Sequence, residues 1–181
     1  EGDRILNVDE TRLRPSGLYA DESFVDMFSL KLIQGSRTAL AQPQSILISK
    51  SLATALFGNE DPVNRTLNKK TVPTVAGVFE DFPQNTEFNG VKFILPWSLF
   101  LQENRWIHER ALTDWRNHFI KIYVEIAEGS DFPTVLKQTR SALQFAPEDL
   151  EMATKRSQQL ELYPMSDWHL YPIWLRQGRD E

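Results

Sequence analysis

SILISKSLATALFGNEDPVNRTL (Ser45–Leu67), followed by TVAGVFEDFPQNTEF (Thr74–Phe88), is the stretch that decides the fold. Ile46 and Ile48 recur at the two-residue spacing of a strand. Ser49 then stands at the junction with a helix, where a serine hydroxyl satisfies backbone N–H groups that the first turn leaves open. Leu52, Ala53, Leu56 and Phe57 follow at helical spacing, and Gly58 is placed to stop the helix. Val63–Leu67 and Val72–Phe79 are rich in Val and Thr and predict two more strands, joined by a polar turn at Asn68–Thr71. Phe82-Pro83 closes this small α+β lobe, because the residue before a proline is pushed away from helical geometry.

On the upstream side, Gly17–Asp21 predicts a short strand, with Asp21 as the cap of a helix whose apolar face is Phe24, Val25 and Phe28. Leu30, Leu32 and Gly35 predict a further strand and a turn, and the residues before Gly17 read as irregular. Downstream, Asn89-Gly90 suggests a hairpin turn ahead of a strand at Val91–Leu95. The segment from Trp97 to His118 is helical and aromatic in pattern. FIKIYVEI (Phe119–Ile126) alternates cleanly, with Ile120, Ile122, Val124 and Ile126 on one side and Lys121 and Glu125 on the other, as a half-buried strand does. Ser130 or Asp131 caps the next helix, Pro133 suits its first turn, and Phe132, Val135, Leu136, Thr139 and Leu143 form its stripe. Leu160–Tyr163 completes a strand-helix-strand unit, the expected right-handed crossover. The fold class is α+β.

The chain has 181 residues, enough to bury a core without disulfides, and it contains no cysteine. Asp and Glu outnumber Lys and Arg by 25 to 20, which argues against nucleic acid as a partner, since phosphates call for a cationic surface. No apolar run reaches the roughly 20 residues that span a bilayer. The start at Glu1, with no basic-then-apolar signal segment, reads as an excised piece of something longer.

Chemical signatures are sparse. The three histidines are His108, His118 and His169; Asp114 and His118 share a helical face, but His108 falls about 80° away from it, and no HExxH spacing occurs. His108 and Glu109 are adjacent and would diverge on a helix, so they make a poor acid/base pair. No G-x-S-x-G surrounds a serine, and the eight glycines form no phosphate-binding loop. The carboxylates at Glu60-Asp61, Glu80-Asp81 and Glu148–Glu151 read as solvated turns rather than a hydrolytic pair. No catalytic, cofactor-binding or metal-binding residue emerges. Five tryptophans stand out in the composition; Trp97, Trp106 and Trp115 lie in the aromatic segment, either as core or as an exposed contact for a partner or ligand.

ADESFVDMFSLKLIQG (Ala20–Gly35), QPQSILISKSLATALFGNEDPVNRTL (Gln42–Leu67), VAGVFEDFPQNTEF (Val75–Phe88) and YPMSDWHLY (Tyr163–Tyr171), in this order, resemble the extracytoplasmic domain of MacB/FtsX-like ABC transporter permeases. The resemblance implies a porter-like lobe (residues 1–43 and 83–181) interrupted by a smaller Sabre-like α+β lobe (residues 44–82). It implies a non-enzymatic domain at the periplasmic face of the bacterial inner membrane, joined to flanking transmembrane helices, with both chain ends on one face. The implied partners are an ABC ATPase subunit that binds the ATP, a second permease copy, and a periplasmic adaptor or effector. Two alternatives remain: a stand-alone periplasmic ligand- or carbohydrate-binding module using the tryptophans, and a hydrolase using Asp or Glu with His108 or His118. A pocket lined by two of Trp97, Trp106 and Trp115 would favour the first, whereas a packed aromatic cluster would not.

Overall fold

A computed structural model describes residues 2–67, 73–107, 120–142 and 161–167. Contacts divide the chain into two units, Glu1–Leu112 and Thr113–Glu181. The first is built on a six-stranded mixed sheet whose spatial order is β1 (Gly2–Asp3), β4 (Ser16–Ala20), β8 (Phe93–Pro96), β6 (Ser45–Ser49), β7 (Thr74–Phe79) and β5 (Leu32–Gly35). A separate hairpin pairs β2 (Leu6–Val8) with β3 (Thr11–Leu13). The helices are α1 (Phe24–Met27), α2 (Lys50–Phe57) and α3 (Trp97–Glu103).

The stretch quoted first forms the centre of this sheet. β6 runs parallel to β7, with α2 as the crossover between them, and antiparallel to β8. All five residues of β6 are buried, as are all four of β8, because the sheet is covered on both faces. Directly paired residues share a face, so Tyr19 and Leu95 stand with Phe93, Ile48 and Ile46, while Leu18, Ile94 and Leu47 point to the opposite side. On the first side α2 lays down Leu52, Ala53, Leu56 and Phe57, and the hairpin adds Leu6, with Val8 and Leu13 at its margin. Burying each of the large side chains of α2 stabilises the fold by about 1.5–3 kcal/mol. On the second side the short 3-10 turn Ala39–Ala41 packs on β6 and β8. The buried hydroxyl of Ser45 is satisfied by the carbonyls of Ala39 and Gln42, at 2.6 and 2.8 Å.

The α+β class holds, and so do the strands expected near Gly17, Leu32, Ile46, Thr74 and Phe93. Several details differ. The start of the chain is not irregular but forms β1 and the β2–β3 hairpin, turned at Asp9 with φ 50°, a backbone conformation that Asp tolerates. Asp21 is two residues too early to cap α1; its carboxylate accepts from the backbone and side chain of Ser23, and Ser23 occupies the cap position. Val63–Leu67 is not a strand, since only Thr66 bridges to Thr74. The turn at Asn89-Gly90 precedes β8 but joins no second strand, so it is not a hairpin.

In the second unit, α4 (Phe132–Ala142) begins as expected: Asp131 Oδ1 accepts from Thr134 N at 2.9 Å. Phe132, Val135, Leu136 and Thr139 are its half-buried stripe. The strand expected at Phe119–Ile126 is not formed by residues 120–126, nor the expected return strand by residues 161–163. Ile122 is 78% exposed and Val124 56%. Alternation marks which face a strand would bury, but a ladder also needs a partner backbone, and no described segment pairs with this one. The expected proximity of the two chain ends involves residues 168–181, outside the described set.

Candidate functional site

Two polar nodes link segments that are distant in sequence. The first gathers at the N-terminus of α2. Ser49 caps this helix by accepting from Leu52 N at 3.3 Å. Asp81, just beyond β7, reaches the same turn: its Oδ2 accepts from Ser51 N at 2.9 Å, and its Oδ1 accepts from Ser51 Oγ at 2.5 Å. Lys92, just before β8, donates from Nζ to Asp81 Oδ1 at 2.6 Å and to Ser51 Oγ at 3.0 Å. Burial pushes the Asp81 carboxyl up, but hydrogen bonds from Lys92 and Ser51 and the ammonium charge outweigh it, leaving it at about 2. A carboxylate at a helix N-terminus also complements the helix dipole.

This grouping of two serines, a lysine and an aspartate carries the outline of a nucleophile with a base, and its geometry argues for bracing instead. Lys92 spends its protons on Asp81 and Ser51, so its nitrogen offers no lone pair to Ser51. Asp81 is held ionised with both oxygens occupied by donors. What the node does is tie the loop after β7 and the entry to β8 onto the first turn of α2.

An aromatic cluster adjoins this loop. Phe82 lies 5.4 Å from Phe79 and 5.3 Å from Phe88 by ring centroids, and Phe88 packs edge-on against Phe24 and Phe28, at 5.2 and 4.9 Å. FVDMF and VFEDFPQNTEF, separated by some fifty residues of sequence, therefore meet as one packed unit.

The second node joins the N-terminal segment to α3. Arg4 forks onto Glu103, with Nη2–Oε1 at 2.5 Å and Nη1–Oε2 at 3.3 Å. Tyr19 Oη accepts from Arg4 Nη1 at 2.8 Å and donates to Glu103 Oε2 at 2.7 Å. Burial, reinforced by its bond to Glu103, pushes the Tyr19 phenol up to about 12. Burial acts to raise Glu103 as well, but the hydrogen bonds from Arg4 and Tyr19 prevail and hold its carboxyl below the usual range. The Tyr19 ring packs 4.9 Å from Phe100, on which Trp97 stacks at 4.9 Å and 28°.

MacB-like periplasmic core domain is the family whose model matches residues 4–142. The chain belongs to this family. Its solved relatives include a domain assigned to a permease protein of Porphyromonas gingivalis, 26% identical, with a TM-score of 0.57 over 87% of this chain and 66% of that one. The periplasmic region of MacB from Actinobacillus actinomycetemcomitans shares the fold, with a TM-score of 0.57 and 19% identity over 88% of this chain and 73% of that one. The chain thus spans about two thirds of the length of the first relative. Comparison with curated protein sequences finds no match.

Within this MacB-like domain three of the four resemblance-bearing motifs meet: the aromatic cluster joins Ala20–Gly35 to Val75–Phe88, and the Ser51–Asp81–Lys92 node joins Gln42–Leu67 to Val75–Phe88. Of the tryptophans singled out from the sequence, Trp97 is half-buried in the aromatic stack on Phe100, Trp106 is 43% exposed, and Trp115 lies outside the described residues. His108, His118 and His169 also lie outside them, as does Glu148–Glu151. Among the described residues no cluster of His, Cys, Asp or Glu is arranged to hold a metal, and no helix is long and apolar enough to cross a membrane. Glu60 pairs with Arg65 and Glu80 with Lys31, both on the surface. The sequence reading missed the partners of Asp81, which stand thirty and eleven residues away from it with no periodicity to link them.

Proposed function

We propose that this chain is the non-catalytic periplasmic domain of an ABC transporter permease, coupling ATP-driven movement of transmembrane helices to export or other work outside the inner membrane. ATP is bound by a separate ATPase subunit or domain, a second permease copy completes the transporter, and a periplasmic adaptor or effector meets the domain. The exposed Trp106, with Trp97 and Trp115 in the same aromatic segment, is the proposed contact surface for such a partner. In this reading residues 44–82 are the smaller lobe inserted in a porter-like one.

The observation that carries the proposal is the family match over residues 4–142, which includes every strand of the central sheet except β1, and both polar nodes. A domain that passes on displacement has to be stiff, and a sheet buried on both faces and braced at the start of α2 suits that task. The test has two stages. The native gene is read for hydrophobic spans beside both ends of this segment; their absence ends the proposal. In the full-length transporter, spin labels at the exposed Lys50 of the two permease copies are then expected to change separation when ATP is bound. An unchanged separation in a transporter that still hydrolyses ATP would refute the coupling.

A further inference from the structure

Helix α3 has little of its own to hold it. It has seven residues, none of them fully buried, and Pro96 at its cap position supplies no side-chain hydrogen bond. Its last residue is Glu103, a negative charge at the helix end whose dipole disfavours one. Arg4 corrects this charge from 99 residues away in sequence. On the other side of the node, β1 is equally slight: two residues, both exposed, paired to β4 only through Gly2–Gly17 and Asp3–Ser16. Arg4 follows β1 directly, and its backbone N–H is held by Pro15 O at 3.1 Å. Tyr19, on β4, is the fixed point between them, bonded to both Arg4 and Glu103 and packed on Phe100.

We infer that Arg4, Tyr19 and Glu103 form a latch that makes attachment of the N-terminal strand and the closure of α3 a single event. Releasing β1 withdraws the guanidinium from Glu103, leaving a carboxylate without its cation at the wrong end of a short helix. Loosening α3 withdraws the carboxylate from Arg4, leaving β1 with its two residue pairs, the backbone bond of Arg4 to Pro15 and the exposed contacts of Asp3 with Ser16 and Arg14. The latch therefore passes a displacement of the N-terminal strand to α3 and from there towards the aromatic segment that begins with it. This consequence for transport rests on the proposed function; the coupling itself does not.

Amide hydrogen exchange on the 181-residue chain tests the coupling. Arg4→Ala is expected to speed exchange in α3 about tenfold, and Glu103→Ala to speed it to a similar degree at residues 2–6, while α2 keeps its wild-type rate. The double variant should add little to either single one, since both break the same link. Arg4→Lys, which keeps the charge but loses the fork, is expected to fall between wild type and Arg4→Ala and serves if the alanine variant folds poorly. Acceleration confined to the mutated side, or spread equally over α2, overturns the latch. A native gene without flanking membrane spans would remove the transport role and leave the coupling standing.

Discussion

Removing the carboxylate of Asp81 should destabilise the domain in a way that is traceable to one charge. Asp81→Ala takes from α2 the acceptor for Ser51 N and strips Lys92 and Ser51 Oγ of their common partner. Loss of a helix-terminal acceptor costs about 0.5–2 kcal/mol, and a hydrogen bond to a charged group is worth about 1.5–3 kcal/mol when fully formed. The Asp81 side chain is 32% exposed and that of Lys92 37%, so solvent screens the pair and the lower ends of these ranges apply. The expected total is about 2 kcal/mol for Asp81→Ala. Asp81→Asn keeps a carbonyl for Ser51 N and loses the charge, at about 1 kcal/mol. Urea unfolding followed by tryptophan fluorescence measures both.

The pH dependence supplies the decisive sign. The folded-state carboxyl sits at about 2, below its ordinary value of 3.8, so its contribution is present in full above pH 3.8 and is lost as pH falls through about 2. The stability gap between wild type and Asp81→Asn should therefore be constant from neutral pH down to about pH 4 and shrink towards pH 2. Other carboxylates also titrate in that range, but they cancel in the difference. A gap that does not change between neutral pH and about pH 2 would show that the ion pair contributes nothing. Retention of wild-type stability by Asp81→Ala would refute the bracing role altogether.

Leu56→Ala, at a side chain 6% exposed between α2 and the sheet, is expected to cost about 2–5 kcal/mol in the same unfolding assay. Gly77→Ala should cost about 1–3 kcal/mol, because its methyl carbon would stand 2.7 Å from the backbone oxygen of Gln34 and force β5 away from β7; faster amide exchange in β5 would locate the damage. Tyr19 should ionise at about 12, so a tyrosinate absorbance titration of Tyr19→Phe loses a step near that pH. Since that phenol is raised above its ordinary value of 10, its contribution to stability is intact below pH 10 and fades towards about pH 12, a decline Tyr19→Phe should not show.

Whatever was legible in the sequence is local. Ser49, the Leu52–Leu56 spacing and Gly58 announce α2 because capping, helical periodicity and a left-handed stop each act within one turn, and Gly58 does take φ 62°. Asp131 and the stripe after it announce α4 for the same reason. The hairpin at residues 6–13 was hidden because its turn is Asp9-Glu10 rather than the glycine-bearing pair that marks two-residue turns. The strand expected at Phe119–Ile126 shows the converse: an ideal alternation specifies a face and says nothing of a partner.

The polar nodes needed the fold before they could be seen at all. Ser51 and Asp81 are thirty residues apart, Asp81 and Lys92 eleven, and no periodicity links them. They meet because β6 and β7 run parallel as neighbours, which places the start of α2 and the loop after β7 at the same end of the sheet, while antiparallel β8 begins at that end. The same topology explains why ISKSLATALF and VFEDFPQNTEF were readable as one signature before their contact was known. Each supplies half of a helix-terminal brace. Asp81→Lys combined with Lys92→Asp is thus expected to fail to restore stability. Reversing the pair restores attraction between the side chains but sets an ammonium against Ser51 N and the positive end of α2, where only an acceptor fits. Recovery of full stability by that double reversal would mean that the ion pair, and not the helix terminus, gives this node its purpose.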